Sequence, residues 1–173
     1  MKRQILLVDG YNMIGAWPEL VTLKNQDKME DARDLLLFKL SNYAKYHDIQ
    51  VIVVFDAQFV PGLSKEYRKY QLTVVFTGID ETADTYIERR AGELVSRLTL
   101  VTVATSDLAE QWLVFSKGAL RQSAKELWRD LEETKVAIVN DTKDYHYQNQ
   151  RRAGTWRPEQ LNKLDKLLED LSQ

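Results

Sequence analysis

Short apolar runs punctuate the chain at residues 5–8, 51–55, 72–76 and 100–104. None alternates with polar residues and none is long enough for a helix, so each predicts a strand buried on both faces, as in a parallel sheet. Helical periodicity fills the intervals. Asp27 and Glu30 have capping-box spacing ahead of an apolar stripe of Ala32, Leu35, Leu36, Leu40 and Tyr43. A second helix is expected from about Asp80, which suits an N-cap, with Ala83, Ile87, Ala91, Leu94 and Leu98 inward. Residues 108–115 predict a short helix that Gly118 ends. Ser123 and Glu126 form another capping box, opening a helix through Leu127 and Leu131. Residues 136–139 fit either a fifth strand or this helix's end. Pro158 suits the first position of a last helix with Leu161, Leu164, Leu168 and Leu171 on one face. Residues 15–24, containing Pro18, and 57–70, containing Pro61 and Gly62, read as loops. The alternation implies an α/β fold, a central mostly parallel sheet with helices on both faces. Residues 1–140 are expected to form one domain, with the polar segment and helix of 141–173 packed on it.

The apolar runs share an unusual ending. The first runs into Asp9-Gly10-Tyr11-Asn12, the second into Asp56, and the fourth into Thr105-Ser106-Asp107. Parallel strands point one way, so these acids gather at the C-terminal edge of the sheet, where open α/β sheets bind ligands. Glu81 and Asp84 lie one turn apart at the start of a helix that follows the third strand, facing the same edge. Singly, each acid reads as a cap or turn residue, and Asp27 and Asp80 are assigned those roles. Together they would repel and bind protons more tightly unless a cation is present. A hard divalent metal resolves the conflict. Gly10 would permit a sharp turn, Asn12 could orient a water or a phosphate, and Thr105 and Ser106 could support Asp107 from behind.

Composition narrows the chemistry. The 173 residues include no cysteine and two histidines, His47 and His146, both read as surface residues. Thiolate and histidine-rich metal sites are thereby excluded, leaving oxygen ligands and Mg²⁺ or Mn²⁺. No Gly-rich loop followed by Lys-Ser or Lys-Thr is present, and no dinucleotide-binding glycine pattern follows the first strand, so no nucleotide cofactor is expected. The apolar run after Met1-Lys2-Arg3 stops at Asp9, too short for a signal peptide, and no stretch would span a membrane; a cytoplasmic protein is expected. Net charge is -2, so no global field gathers nucleic acid. Local basic runs nevertheless suit single-stranded nucleic acid: Lys65, Arg68 and Lys69 beside Tyr67 and Tyr70; Lys117, Arg121, Lys125 and Arg129; and Arg151, Arg152 and Arg157. Each run alone also reads as a solvated face. Trp112 and Trp128 read as core residues rather than stacking platforms.

Taken together, residues 7–14, Val53-Val54-Phe55-Asp56-Ala57, Glu81-Thr82-Ala83-Asp84 and Ala104-Thr105-Ser106-Asp107 resemble the NYN domain, a branch of the PIN-like nucleases. The nearest resemblance is to the YacP group, which Gly118-Ala119-Leu120-Arg121 and Ser123-Ala124-Lys125-Glu126-Leu127 also match. The likeness covers about residues 4–131; the tail beyond Asn140 carries no matching pattern. It implies a PIN-like, Rossmann-like αβα sandwich, a Mg²⁺ or Mn²⁺ site, and an endoribonuclease that enters the ribosomal A site and cuts mRNA during translation. Water activated at the metal site would attack the phosphodiester. By motif position, Asp9, Asp84 and Asp107 would be the main metal acids, Asp56 and Glu81 supporting acids, and Asn12 a positioning residue. The alternative is a ribosome- or RNA-binding module with a vestigial acidic site; a phosphatase or flap-type DNA nuclease is a third reading.

Overall fold

The computed structural model describes residues 1–56, 65–153 and 158–171. Its elements run β1 (Arg3–Asp9), α1 (Gly10–Ala16), α2 (Pro18–Asn25), α3 (Met29–His47), β2 (Gln50–Phe55), β3 (Lys65–Lys69), β4 (Leu72–Phe76), α4 (Ala83–Leu94), β5 (Thr99–Ala104), α5 (Leu108–Ser116), β6 (Leu120–Gln122), α6 (Ala124–Ala153) and α7 (Pro158–Leu171). The six strands form one sheet in the order β3-β4-β2-β1-β5-β6. Only β3 runs antiparallel. The α/β architecture with a mostly parallel sheet is the expected one.

β1 is central because it is apolar on both faces. Leu7 is in register with Ile52 on one side and Val103 on the other. Leu6 and Val8 join a core containing Trp17, Leu20, Leu36, Leu40 and Leu127, under α1, α2, α3 and the start of α6. Ile5 and Leu7 join the opposite core with Ile87, Ala91 and Val114, under α4 and α5. Burying both faces of β1 and β2 fixes their register: a one-residue slip would exchange the two sets of side chains.

The chain divides into two compact units, Met1–Thr134 and Lys135–Gln173. The first holds the sheet, α1 to α5 and the start of α6; the second holds the rest of α6 and α7.

Several local expectations are corrected. Residues 15–24 are not a loop: α1 ends at Ala16 and α2 begins at Pro18, where a missing N–H is no loss. Trp17 at the junction is buried, and its indole Nε1 donates to the Ala124 carbonyl at 2.8 Å. Asp27 forms no capping box; it adopts a left-handed φ of 57°, and α3 starts two residues later without a side-chain cap. α4 is capped by Thr82, whose Oγ1 accepts from Thr85 N–H at 3.2 Å, and not by Asp80. Residues 65–69 are a strand rather than loop. Its polar, charged sequence hid it, as is common for an edge strand. Tyr70 and Gln71, both at positive φ, make the two-residue turn into β4. The loop expected at 57–64 lies outside the described residues, as do Trp156 and Arg157. β6, three residues long, gave no signal, and residues 136–139 are helical. The Ser123–Glu126 capping box forms in both directions, at 2.7 and 3.1 Å. Trp128 is half-buried against the core, whereas Trp112 is 73% exposed, contrary to expectation.

Candidate metal centre

Asp9 ends β1 and also caps α1. Its Oδ1 accepts from Asn12 N–H at 3.3 Å and its Oδ2 from Asn12 Nδ2 at 3.1 Å. Asn12 in turn accepts at Oδ1 from Ser106 N–H, 3.1 Å away, so one amide clamps the ends of β1 and β5 together. Gly10 does not serve as a flexible turn: it opens α1 in a helical conformation, and a Cβ there would stand 2.3 Å from Phe55 Cε1. The glycine lets α1 start directly against the end of β2, and this sets where Asp9 points.

Asp56 follows β2, and its Oδ2 accepts from Ala83 N–H at 3.3 Å, tying the sheet edge to the first residue of α4. Asp84 is the next residue of that helix. On the other side, Asp107 caps α5, its Oδ1 accepting from Ala109 and Glu110 N–H at 2.9 and 3.4 Å. That cap sets the first turn of α5 so that Glu110 turns inward. Thr105, fully buried, donates to Glu110 Oε2 at 2.6 Å and accepts from Asp107 N–H at 3.2 Å.

The result is a triad from three elements. Asp9, Asp84 and Glu110 each offer a carboxylate oxygen, and these atoms lie within 4.8 Å of one another. Asp9 and Asp84 line a cleft of about 570 Å³ with Tyr11, Asn12, Gly15, Ala16, Asp56, Thr82, Ala83 and Ser106. Among the described residues, none of the three acids forms an ion pair. Burial, then the charges of Asp84 and Asp56, push Asp9 up to about 6 against the hydrogen bonds from Asn12. Burial also drives Glu110 well above the usual carboxylate range, reinforced by Asp9 and Asp84. Glu110 Oε1 is buried without a hydrogen-bond partner among the described residues. An orphaned, desolvated oxygen beside two other carboxylates is a strong demand for a cation. An all-oxygen donor set fits a hard divalent ion.

The expected residues are therefore partly assembled. Asp9, Asp56, Asp84, Asn12 and Ser106 converge on the cleft. Thr105 lies behind it. Asp107 is exposed, with its carboxylate committed to the α5 amides. Glu81 is ion-paired with Arg89 at 3.1 Å and does not line the cleft. Glu110 was not anticipated. The available signal was a lone acid inside the apolar run 108–115, three residues after a cap. Lys65, Arg68 and Lys69 lie on β3 and Arg121 on β6, the two opposite edges of the six-stranded sheet. At ~4.8 Å per strand those edges stand roughly 24 Å apart, so these runs do not form one patch. Lys69 is paired with Asp34, Lys117 lies 3.9 Å from Glu88, and Arg121 donates to Gln111 at 3.0 Å; Lys125 is exposed on α6.

A family model for the YacP-like NYN domain matches residues 6–169. The chain belongs to the YacP-like NYN domain family. That span takes in the tail in which no motif was legible. YacP of Bacillus subtilis (strain 168), described as uncharacterized, is 52% identical over 128 residues, covering 74% of this chain and 75% of that protein. A crystal structure of Rae1 (YacP) from Bacillus subtilis superimposes with a TM-score of 0.72 at 42% identity, covering 97% of this chain and 92% of the other. A second, of a W164L mutant of the same protein, gives 0.68 at 43% identity over 89% and 85%. The NYN fold is nuclease-like, and this chain carries an acidic cluster within it.

Proposed function

We propose that this YacP-like NYN protein is a metal-dependent endoribonuclease that cleaves mRNA on the ribosome, in the A site, during translation. The observation that carries the chemistry is the Asp9–Asp84–Glu110 triad with its unpartnered Glu110 Oε1. Those three residues would hold Mg²⁺ or Mn²⁺, with Asp56 alongside. When bound, the ion supplies Lewis acidity toward a phosphodiester and eases deprotonation of an attacking water. The chain's own groups do the rest. Asn12 locks Asp9 against the β5 end, Thr105 fixes Glu110, and Asp56 anchors the helix that carries Asp84. A strand of RNA would enter by the cleft that Asp9 and Asp84 line.

Dependence on the ribosome is supported by resemblance and by charge. The net charge of -2 does not gather RNA, and the basic runs on β3 and β6 stand at opposite edges of the sheet. Such a surface suits a protein to which another particle presents the strand. The residues also fit a cytoplasmic protein; no described helix is long and apolar enough to cross a membrane.

The test is translation of an mRNA in a purified system with cleavage mapped by primer extension, comparing wild type with Asp84→Asn. The same mRNA is run without ribosomes and with a chelator. Cuts that require ribosomes, the divalent ion and Asp84 are expected. Asp84→Asn should lose more than the roughly 10–100-fold caused by removing an outer-shell partner. Cuts without ribosomes would make it a general RNase. RNA or ribosome binding without cleavage by either protein would instead identify a non-catalytic module.

A further inference from the structure

Gly15 is out of place by the rules of helix formation. It lies within α1, where glycine is about 1 kcal/mol less favourable than alanine. Its backbone is not left-handed, for Gly118 is the one glycine at positive φ among the described residues. A Cβ built on Gly15 meets nothing within 4 Å, whereas one on Gly10 would strike Phe55. Neither conformation nor packing within the chain accounts for the missing side chain. What Gly15 does border is the cleft, together with Ala16 and Tyr11, one helical turn back.

Behind Tyr11 stands Arg33 of α3. Its Nη1 donates to the Tyr11 hydroxyl across a long 3.4 Å. The guanidinium is half-buried and forms no ion pair among the described residues. A guanidinium on a half-buried residue, with no carboxylate partner among the described residues, suits a phosphate oxygen.

We propose that this wall of the cleft is a nucleotide subsite for single-stranded RNA. Arg33 takes the phosphate next to the scissile one, and the bare surface of Gly15 and Ala16 takes the attached sugar and base. The inference rests on the nuclease reading of the acidic triad and adds the side of the cleft along which the strand lies. The glycine is then kept for the room it leaves to the substrate, at the expense of helix propensity.

The experiment is an NMR titration of the ¹⁵N-labelled full chain with a six-nucleotide single-stranded RNA, taken to millimolar, with Ca²⁺ in place of Mg²⁺. The amides of Tyr11, Gly15 and Ala16 are expected to shift. Gly15→Leu should weaken RNA binding at least tenfold while its Tm stays at or above wild type and its Ca²⁺ midpoint moves less than twofold. Arg33→Gln, which leaves α1 untouched, should weaken binding and lower the salt slope by about one phosphate contact. Shifts that spare Gly15 and Ala16, an absence of shifts, or wild-type binding by Gly15→Leu would each overturn the subsite. Cleavage by wild type in the translation assay decides the nuclease reading separately, so the two can fail independently.

Discussion

At Asp9, burial works against ionisation. The carboxyl is 5% exposed and its proton is held up to about 6, chiefly by desolvation, against an ordinary 3.8. A folded-state pKa above the unfolded one means that the folded protein binds the proton more tightly. The stability this contributes is complete below about pH 4 and is lost as pH rises through 6. Asp9→Asn removes the titration. In chelator-treated protein, the mutant should therefore melt slightly below wild type near pH 4 and above it beyond pH 6. A shift of this size corresponds to about 3 kcal/mol, and the asparagine forgoes one hydrogen bond from Asn12 worth about 1 kcal/mol. The net of about 2 kcal/mol is roughly 4–8 °C in Tm for a chain of this length. A constant difference across that pH range would contradict the burial argument. Part of this was legible beforehand, since an acid directly after an apolar strand announces itself. Glu110 was not legible, because an acid inside a helical apolar run reads as a solvated interruption until the neighbouring cap shows which way the turn faces.

Among the elements, α5 carries the most consequence for the site. Its cap, Asp107, orients Glu110 without lining the cleft, so the side chain's shape matters more than its charge. Asn caps a helix about as well as Asp. Asp107→Asn should leave the Mn²⁺ midpoint, read by thermal-shift titration, within twofold of wild type. Asp107→Ala should lower stability by about 1 kcal/mol. A tenfold or larger loss of Mn²⁺ affinity in Asp107→Asn would show that the carboxylate ligates the ion. The elements that were legible share one property: a period carried by large apolar residues, as in β1, β2, β4, β5, α3 and α5. Those that were not, α1, α2, β3 and β6, are short, polar or edge-placed, and take their form from neighbours. Trp17 is the clearest case. Flanked by Ala16 and Pro18 it looked like loop, yet it is buried with its indole N–H donating to the carbonyl of Ala124, far along the chain.

For the molecule as a whole, the crowded acids at the sheet edge repel one another, and a bound cation would relax that repulsion. Saturating the site at about one hundred times the dissociation constant should add about 2.7 kcal/mol of stability. Mg²⁺ or Mn²⁺ should thus raise Tm by roughly 5–10 °C in wild type, a chelator should reverse it, and Asp84→Asn should show little of it. Equal shifts in both proteins would place the ion elsewhere.

The three carboxylates sit at positions 9, 84 and 110, and the tryptophan that seals the first helices waits for residue 124. During synthesis the amino-terminal acid emerges early and stays without its third companion until most of the sheet has been translated. A ribosome-bound fragment ending before residue 110 holds two of the triad's three acids at most. The cluster is thus assembled from parts made far apart in time, and no nascent chain that stops short of Glu110 can hold it whole.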